Sequence, residues 1–302
     1  MEKINPRIDI AFKKLFGTEE NKDLLISLIN SMVSQEDQVA DVRLMNPYNL
    51  QRFREDRLSI LDIKAEGICG KKFNIEIQLT DNGDYDKRAL YYWAKLYTEQ
   101  LIISDRYHDL EKVIGIHILN FISIPQAQKY HNVFHITEKE EGFPHFSALE
   151  LHTIELKKFA ETTQGEIASL AQKVQSSLDR WSAFLTRYEQ LSTLKSLPST
   201  LDKPTIKKAI GALDVMNFTR EERQIYEEHL KWLRMEAGAL SVAKETGKKE
   251  GRKEGREEGR KEEKEAIAQQ MLQEGLDMTM IARMTGLSHK DIKALSASLD
   301  IQ

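Results

Sequence analysis

Two runs, Leu58-Ser59-Ile60-Leu61-Asp62-Ile63-Lys64-Ala65-Glu66-Gly67 and Phe73-Asn74-Ile75-Glu76-Ile77-Gln78-Leu79, carry the architecture of this chain. They are apolar and β-rich, and they flank Ile68-Cys69-Gly70-Lys71-Lys72, whose composition is that of a hairpin. Each run holds a carboxylate among aliphatic neighbours. Such a group is costly to bury unless it is paired, hydrogen-bonded or bound to a cation. Asp62 and Glu76, brought side by side by one hairpin, therefore form a candidate seat for a divalent metal. Hard oxygen ligands suit Mg²⁺, with Mn²⁺ as the second choice.

Side chains alternate along a strand, so Glu76 and Gln78 share one face while Ile75, Ile77 and Leu79 take the other. A three-residue loop at Cys69-Gly70-Lys71 places Asp62 opposite Gln78 and Lys64 opposite Glu76, all on one face. A two-residue loop sends Asp62 to the other face. Both registers are compatible with the sequence.

An Asp followed on a hairpin by Glu-x-Gln, then by a long helix, resembles the PD-(D/E)xK nuclease core with Gln in the usual Lys position. Asp9-Ile10-Ala11-Phe12-Lys13-Lys14-Leu15-Phe16-Gly17 resembles the opening of the Rpn family of recombination-promoting nucleases. So do Asn21 with Leu28-Ile29-Asn30, the block from Lys87-Arg88 to Tyr97, and Tyr107-His108-Asp109-Leu110 leading into the run from Val113 to Leu119. The resemblance covers residues 5–125 and extends to the charged repeat near the C-terminal end. It implies a restriction-endonuclease-like α/β core, a mixed central sheet flanked by helices, followed by an α-helical C-terminal region. It also implies a metal-dependent endonuclease acting on DNA, linked to recombination or mobile elements. By position, Asp62 and Glu76 match the metal ligands and Gln78 the Lys-equivalent; Asp9 is a candidate for the acidic residue some such nucleases carry on their first helix. A neutral amide supplies neither a general base nor positive charge, which leaves Lys64 as a candidate substitute. Lys13 and Arg88 are candidates for gripping phosphates. The Gln also keeps open a rival reading, a catalytically inactive, transposase-derived DNA-binding or assembly protein.

Composition sets the outer limits. With 302 residues, a formal net charge of −4 and 40% apolar residues, bulk charge does not advertise nucleic-acid binding, so DNA contact calls for local basic patches. A single cysteine, Cys69, excludes an intramolecular disulfide and a Cys-based zinc cluster, and suits the cytoplasm. The longest apolar stretch, residues 113–124, reads as a buried strand, too short for a membrane span; with no apolar signal core at the N-terminus, the expectation is a soluble protein. No glycine-rich phosphate loop is present and no organic cofactor is expected. The histidines are dispersed, and His131 and His135 fall on a strand where four residues separate them too far; none is assigned to a metal.

The domains expected are residues 1–156 for the nuclease core, 157–240 for a helical region, 241–265 for a charged spacer and 266–302 for a helix-turn-helix-like segment. Strands are expected at 39–45, 112–122, 133–137 and 147–156, and helices at 85–103, 167–185, 205–213 and 220–237. The Tyr91, Tyr92, Trp93 and Tyr97 group is expected in the core. The spacer repeats Gly247, Gly251, Gly255 and Gly259 with a period of four among opposite charges, a helical or flexible segment. Counting from Met278, Ala282, Gly286 and Ile292 take the tight-packing, turn and core positions of a helix-turn-helix, with Ile281, Leu287 and Leu295 as further core. His289, Lys290 and Lys293 would then face a DNA groove; a helical hairpin used for packing or dimerisation fits the same pattern. Cutting both strands calls for two active sites, so a homodimer is expected.

Overall fold

The computed structural model describes residues 3–48, 62–81, 83–101 and 106–299, apart from the side chains of 233, 236, 237, 240–244, 298 and 299. The expected strand positions 58–61 and the end of the expected helix at 102–103 lie outside the described residues. Two compact units are present, Met1–Leu230 and Lys231–Gln302.

The first unit is built on a six-stranded mixed sheet of order β1-β2-β3-β4-β6-β5. The strands are β1 (Val42–Leu44), β2 (Asp62–Gly67), β3 (Lys72–Gln78), β4 (Val113–Leu119), β5 (His131–Thr137) and β6 (Pro144–Glu155). β1, β2 and β3 are antiparallel neighbours, β3–β4 and β4–β6 are parallel, and β5 returns antiparallel at the edge. Helices α1 (Asp9–Phe16) and α2 (Lys22–Asn30) precede the sheet, and α3 (Tyr85–Thr98) makes the crossover between parallel β3 and β4. β4 is buried at all seven positions, as a doubly covered parallel strand should be.

The hairpin loop is three residues long but lies one position earlier than Cys69–Lys71. Gly67 N–H donates to Lys71 O at 2.9 Å and encloses Ile68, Cys69 and Gly70. Three-residue hairpins place their left-handed residue last, and Gly70, at φ 81°, is the residue that takes it. The register is consequently displaced by two. Asp62 faces Glu76 and Lys64 faces Asn74. Because side chains alternate with period two, this displacement keeps Asp62, Lys64, Glu76 and Gln78 on one face.

After the sheet come α4 (Leu156–Thr162), α5 (Ile167–Lys173), α6 (Ser177–Leu191) and α7 (Pro204–Asp214). The expected single helix over 167–185 is two helices. Ser176 Oγ accepts from Asp179 N–H while Asp179 Oδ2 accepts from Ser176 N–H, a capping box that starts α6 afresh. Trp181 of α6 is fully buried; it meets Phe16 of α1 edge-on at 5.4 Å and donates to Ser27 Oγ at 3.2 Å. The helices after residue 156 thus complete the core that the N-terminal helices begin. The aromatic group of α3 is only partly core: Leu90 and Tyr91 face solvent, while half-buried Trp93 and Tyr97 stack at 5.3 Å.

Helix α8 runs unbroken from Arg220 to Gln273 and takes in the whole charged repeat. In the second unit α9 (Met278–Thr285) and α10 (His289–Leu299) pack as a pair. Ala268, Ile281 and Ile292 are its buried centre, surrounded by Leu276, Ala282, Leu287 and Leu295. Asp277 caps α9 by accepting from Thr279 N–H, and Gly286, at φ 71°, ends it in the left-handed region. Among the described residues no helix is long and apolar enough to cross a membrane.

Candidate metal centre

Register and alternation assemble one polar row across the middle of the sheet. Asp62 on β2 faces Glu76 on β3, which in turn faces His117 on β4. All three are buried. Asn46, just beyond β1, clamps the start of β2: its Nδ2 donates to Asp62 O and its Oδ1 accepts from Lys64 N–H. That side chain continues the ladder past the end of β1 and fixes where Asp62 sits.

The two carboxylates have different surroundings. Asp62 Oδ2 is buried without a hydrogen-bond partner. Burial pushes its pKa up, and the charges of Lys64 and Lys13 only partly offset this. Glu76 Oε1 accepts from Arg88 Nη2 at 2.8 Å, and its Oε2 lies 3.8 Å from His117 Nδ1. Burial, opposed by Arg88 and aided by the Asp62 charge, lifts Glu76 to about 7. Among the described residues no three His, Cys, Asp or Glu side chains are grouped as a metal site; Glu76 is turned to the guanidinium of Arg88.

Helix α1 lends one face to the row, because residues four apart lie one above the other on a helix. Asp9 is buried, with Oδ2 3.4 Å from Nδ1 of His229. Burial, with the Glu76 charge next, raises it to about 8. One turn on, buried Lys13 feels Asp62, whose charge opposes the lowering that burial imposes on the ammonium. Lys64 turns to Glu99, Nζ to Oε2 3.5 Å. Gln78 donates through Nε2 to Thr80 O at 3.2 Å.

His117 and Asn46 were not among the residues picked out by sequence. His117 is 1% exposed, and both of its ring nitrogens lack a hydrogen-bond partner. Burial holds it near pKa 4, with the Arg88 charge acting the same way, so the imidazole is neutral. Tyr85 of α3 packs edge-on against it at 5.6 Å. Gly115 makes room for the ring, since a Cβ there would stand 3.1 Å from His117 Nε2 and 2.6 Å from Leu151. The signal was present in the alternation of β4, but it needed the parallel β3–β4 register to become readable.

Orphaned polar atoms concentrate here. Asp62 Oδ2, both ends of the Asn74 amide, both His117 nitrogens and Thr153 Oγ1 are buried without a hydrogen-bond partner, all on this one face. Most buried polar groups in proteins are satisfied, so such a cluster calls for a partner from outside the chain, a water or a bound ion. An unpaired carboxylate oxygen beside a second carboxylate and a neutral imidazole is a donor set that fits a divalent cation.

In the second unit, His289, Lys290 and Lys293 are exposed on α10. Asp291 is tied to the start of that helix: Ser288 Oγ accepts from its N–H and donates to its Oδ2 at 2.6 Å.

Comparison with known families accounts for most of the chain. The family described as PD-(D/E)XK nuclease family transposase matches residues 6–243. The family described as Rpn/YhgA-like nuclease family, C-terminal HTH domain, matches residues 261–297. Neither the curated proteins nor the solved structures contain a significant match. With a mixed six-stranded sheet bearing Asp62 and Glu76 on neighbouring strands, followed along the chain by a helical C-terminal region, this chain belongs to the PD-(D/E)XK nuclease family of transposases and carries the Rpn-type helix-turn-helix.

Proposed function

We propose that the protein is a metal-dependent DNA endonuclease that hydrolyses phosphodiester bonds, with Asp62 and Glu76 holding a divalent ion such as Mg²⁺ or Mn²⁺. The observation that carries this reading is the buried Asp62 Oδ2, which lacks a partner and stands on the strand position directly opposite Glu76. Bound there, the ion would polarise the scissile phosphate and lower the pKa of a coordinated water.

The chain's own residues have distinct tasks in this scheme. Asp62 and Glu76 supply oxygen ligands. Gln78 orients a water or a phosphate oxygen by hydrogen bonds, since it neither accepts a proton nor carries charge. Lys64 and Lys13, whose charges both act on Asp62, supply positive charge at the row. Asp9 holds a proton up to about pH 8 next to the row. Arg88, which donates to Glu76 in the absence of an ion, would be free to contact a substrate phosphate if Glu76 held the ion. His289, Lys290 and Lys293 on α10 contact duplex DNA, and a second copy of the chain brings the second active site that double-strand cleavage requires. Such an enzyme would serve recombination or the movement of a genetic element.

One observation favours a second reading, a DNA-binding or assembly protein without catalysis: Arg88 neutralises Glu76, and Gln78 is turned to Thr80. Supercoiled plasmid incubated with Mg²⁺ or Mn²⁺ separates the two. Nicking or linearisation that disappears with EDTA, with Asp62→Ala and with Glu76→Ala supports the nuclease. No cleavage with either ion, and undiminished DNA binding by all three proteins, supports the second reading.

A further inference from the structure

We propose that His117 is a nitrogen ligand of the ion held by Asp62 and Glu76, which fits the centre to a first-row transition ion rather than to Mg²⁺. The inference rests on the metal reading above and adds to it a ligand and a class of metal.

Asp62, Glu76 and His117 occupy directly facing positions on three adjacent strands, and neighbouring strands lie about 4.8 Å apart. Their side chains rise from the same face, and His117 Nδ1 already stands 3.8 Å from Glu76 Oε2. The Nε2 edge of the ring lies beside Gly115, where a Cβ would stand 3.1 Å from it, and Nδ1 is the nitrogen that stands near Glu76. A wholly buried imidazole ordinarily gives one nitrogen a hydrogen-bond donor or acceptor; here neither has one. A metal is the partner that would use the Nδ1 lone pair and both carboxylates at once. Arg88, whose side chain is 29% exposed, has a route out when it leaves Glu76.

Ligand chemistry then decides the metal. Mg²⁺ takes oxygen donors in strict octahedral geometry. Imidazole suits Fe, Ni, Cu and Zn, and affinities of mixed nitrogen and oxygen sites rise from Mn²⁺ along the first row. Mn²⁺, the weakest of that series, is nevertheless the useful probe because it is paramagnetic.

The test is electron spin-echo envelope modulation on the full chain loaded with Mn²⁺, beside a titration of Mn²⁺ and Mg²⁺ binding. Wild-type protein should show modulation from a directly bound ¹⁴N, replaced by the ¹⁵N pattern after labelling with ¹⁵N-histidine. This readout needs no variant and so does not depend on one that folds. In His117→Gln the nitrogen modulation should vanish. Mn²⁺ affinity should fall at least about tenfold, the loss that even outer-shell partners produce, while Mg²⁺ affinity falls less. Mn²⁺ that binds wild type and is lost in Asp62→Asn, yet shows no nitrogen coupling, overturns the assignment of His117 and leaves the metal centre standing. Absence of any saturable Mn²⁺ binding overturns both.

Discussion

Replacing Asp62 by Asn should stabilise the metal-free protein while it destroys the metal centre. Asp62 is 5% exposed, and its Oδ2 has no hydrogen-bond partner. Burial raises its pKa above the unfolded value even with Lys64 and Lys13 near. The folded state therefore prefers the protonated form, and the group contributes stability that is present at low pH and is lost as pH rises. Each unit of such a shift is worth about 1.4 kcal/mol between folded and unfolded states. A buried unsatisfied polar group costs about 1–3 kcal/mol, and a charged one more. An amide of the same shape removes the charge and forgoes screened attraction to Lys64, Lys13 and Lys95, while it can still accept the backbone hydrogen bond. Asp62→Asn should thus gain about 1–2 kcal/mol at pH 8 in EDTA, and no more than a trace near pH 3, where the unfolded carboxylate is protonated as well. For a unit of this size that is a rise in melting temperature of about 2–8 °C. The assay is thermal unfolding followed by circular dichroism, with EDTA and then with Mn²⁺. Wild type should gain about 2.7 kcal/mol when Mn²⁺ is a hundred times its dissociation constant, and the variant should gain nothing. A variant less stable than wild type in EDTA at pH 8 would refute the reasoning, because Asp62 would then be making favourable native contacts.

Three further outcomes follow from the same geometry. Asp9 is held near pKa 8 against an ordinary 3.8, so stability in EDTA should fall as pH rises from about 4 to 8, by up to about 1.4 kcal/mol per unit; Asp9→Asn should flatten that slope in melting curves, and an unchanged slope contradicts the assignment. Arg88→Met leaves Glu76 buried and unpaired, which should cost about 3 kcal/mol in urea unfolding without metal, and a loss that Mn²⁺ does not reduce would speak against Glu76 as a ligand. Gly286→Val forces a β-branched residue into a backbone at φ 71°, at a cost of about 1–2 kcal/mol; duplex DNA binding measured by fluorescence anisotropy should weaken, with Mn²⁺ binding by the same protein intact.

The mixed α/β architecture could be read from strands alternating with helices, and the hairpin that puts Asp62 and Glu76 on one face from residues 62–79, because apolar alternation and a Gly-containing loop are local signals. The helix-turn-helix could be read for the same reason, since Ala282, Gly286 and Ile292 fix a local geometry. The hairpin register could not. One residue of difference in where the loop closes moved every pair by two, and only the left-handed backbone at Gly70 selects Asp62 opposite Glu76. His117 was hidden by a longer-range cause. Its position opposite Glu76 depends on parallel pairing between strands separated by a whole helix, which no local pattern encodes. The break before Ser177 was also missed, because periodicity runs through it and only the reciprocal Ser176–Asp179 bonds restart the helix. Lys64 illustrates the limit of face arguments: it shares the face of Asp62 and its charge acts there, yet its ion pair is with Glu99.

Anomalous diffraction from crystals equilibrated with Mn²⁺ would show where the ion binds. The expected result is a peak at the Asp62 and Glu76 carboxylates, with the Arg88 guanidinium withdrawn from Glu76. Density that keeps Arg88 on Glu76, with no peak at Asp62 while the ion is bound elsewhere or not at all, would contradict it.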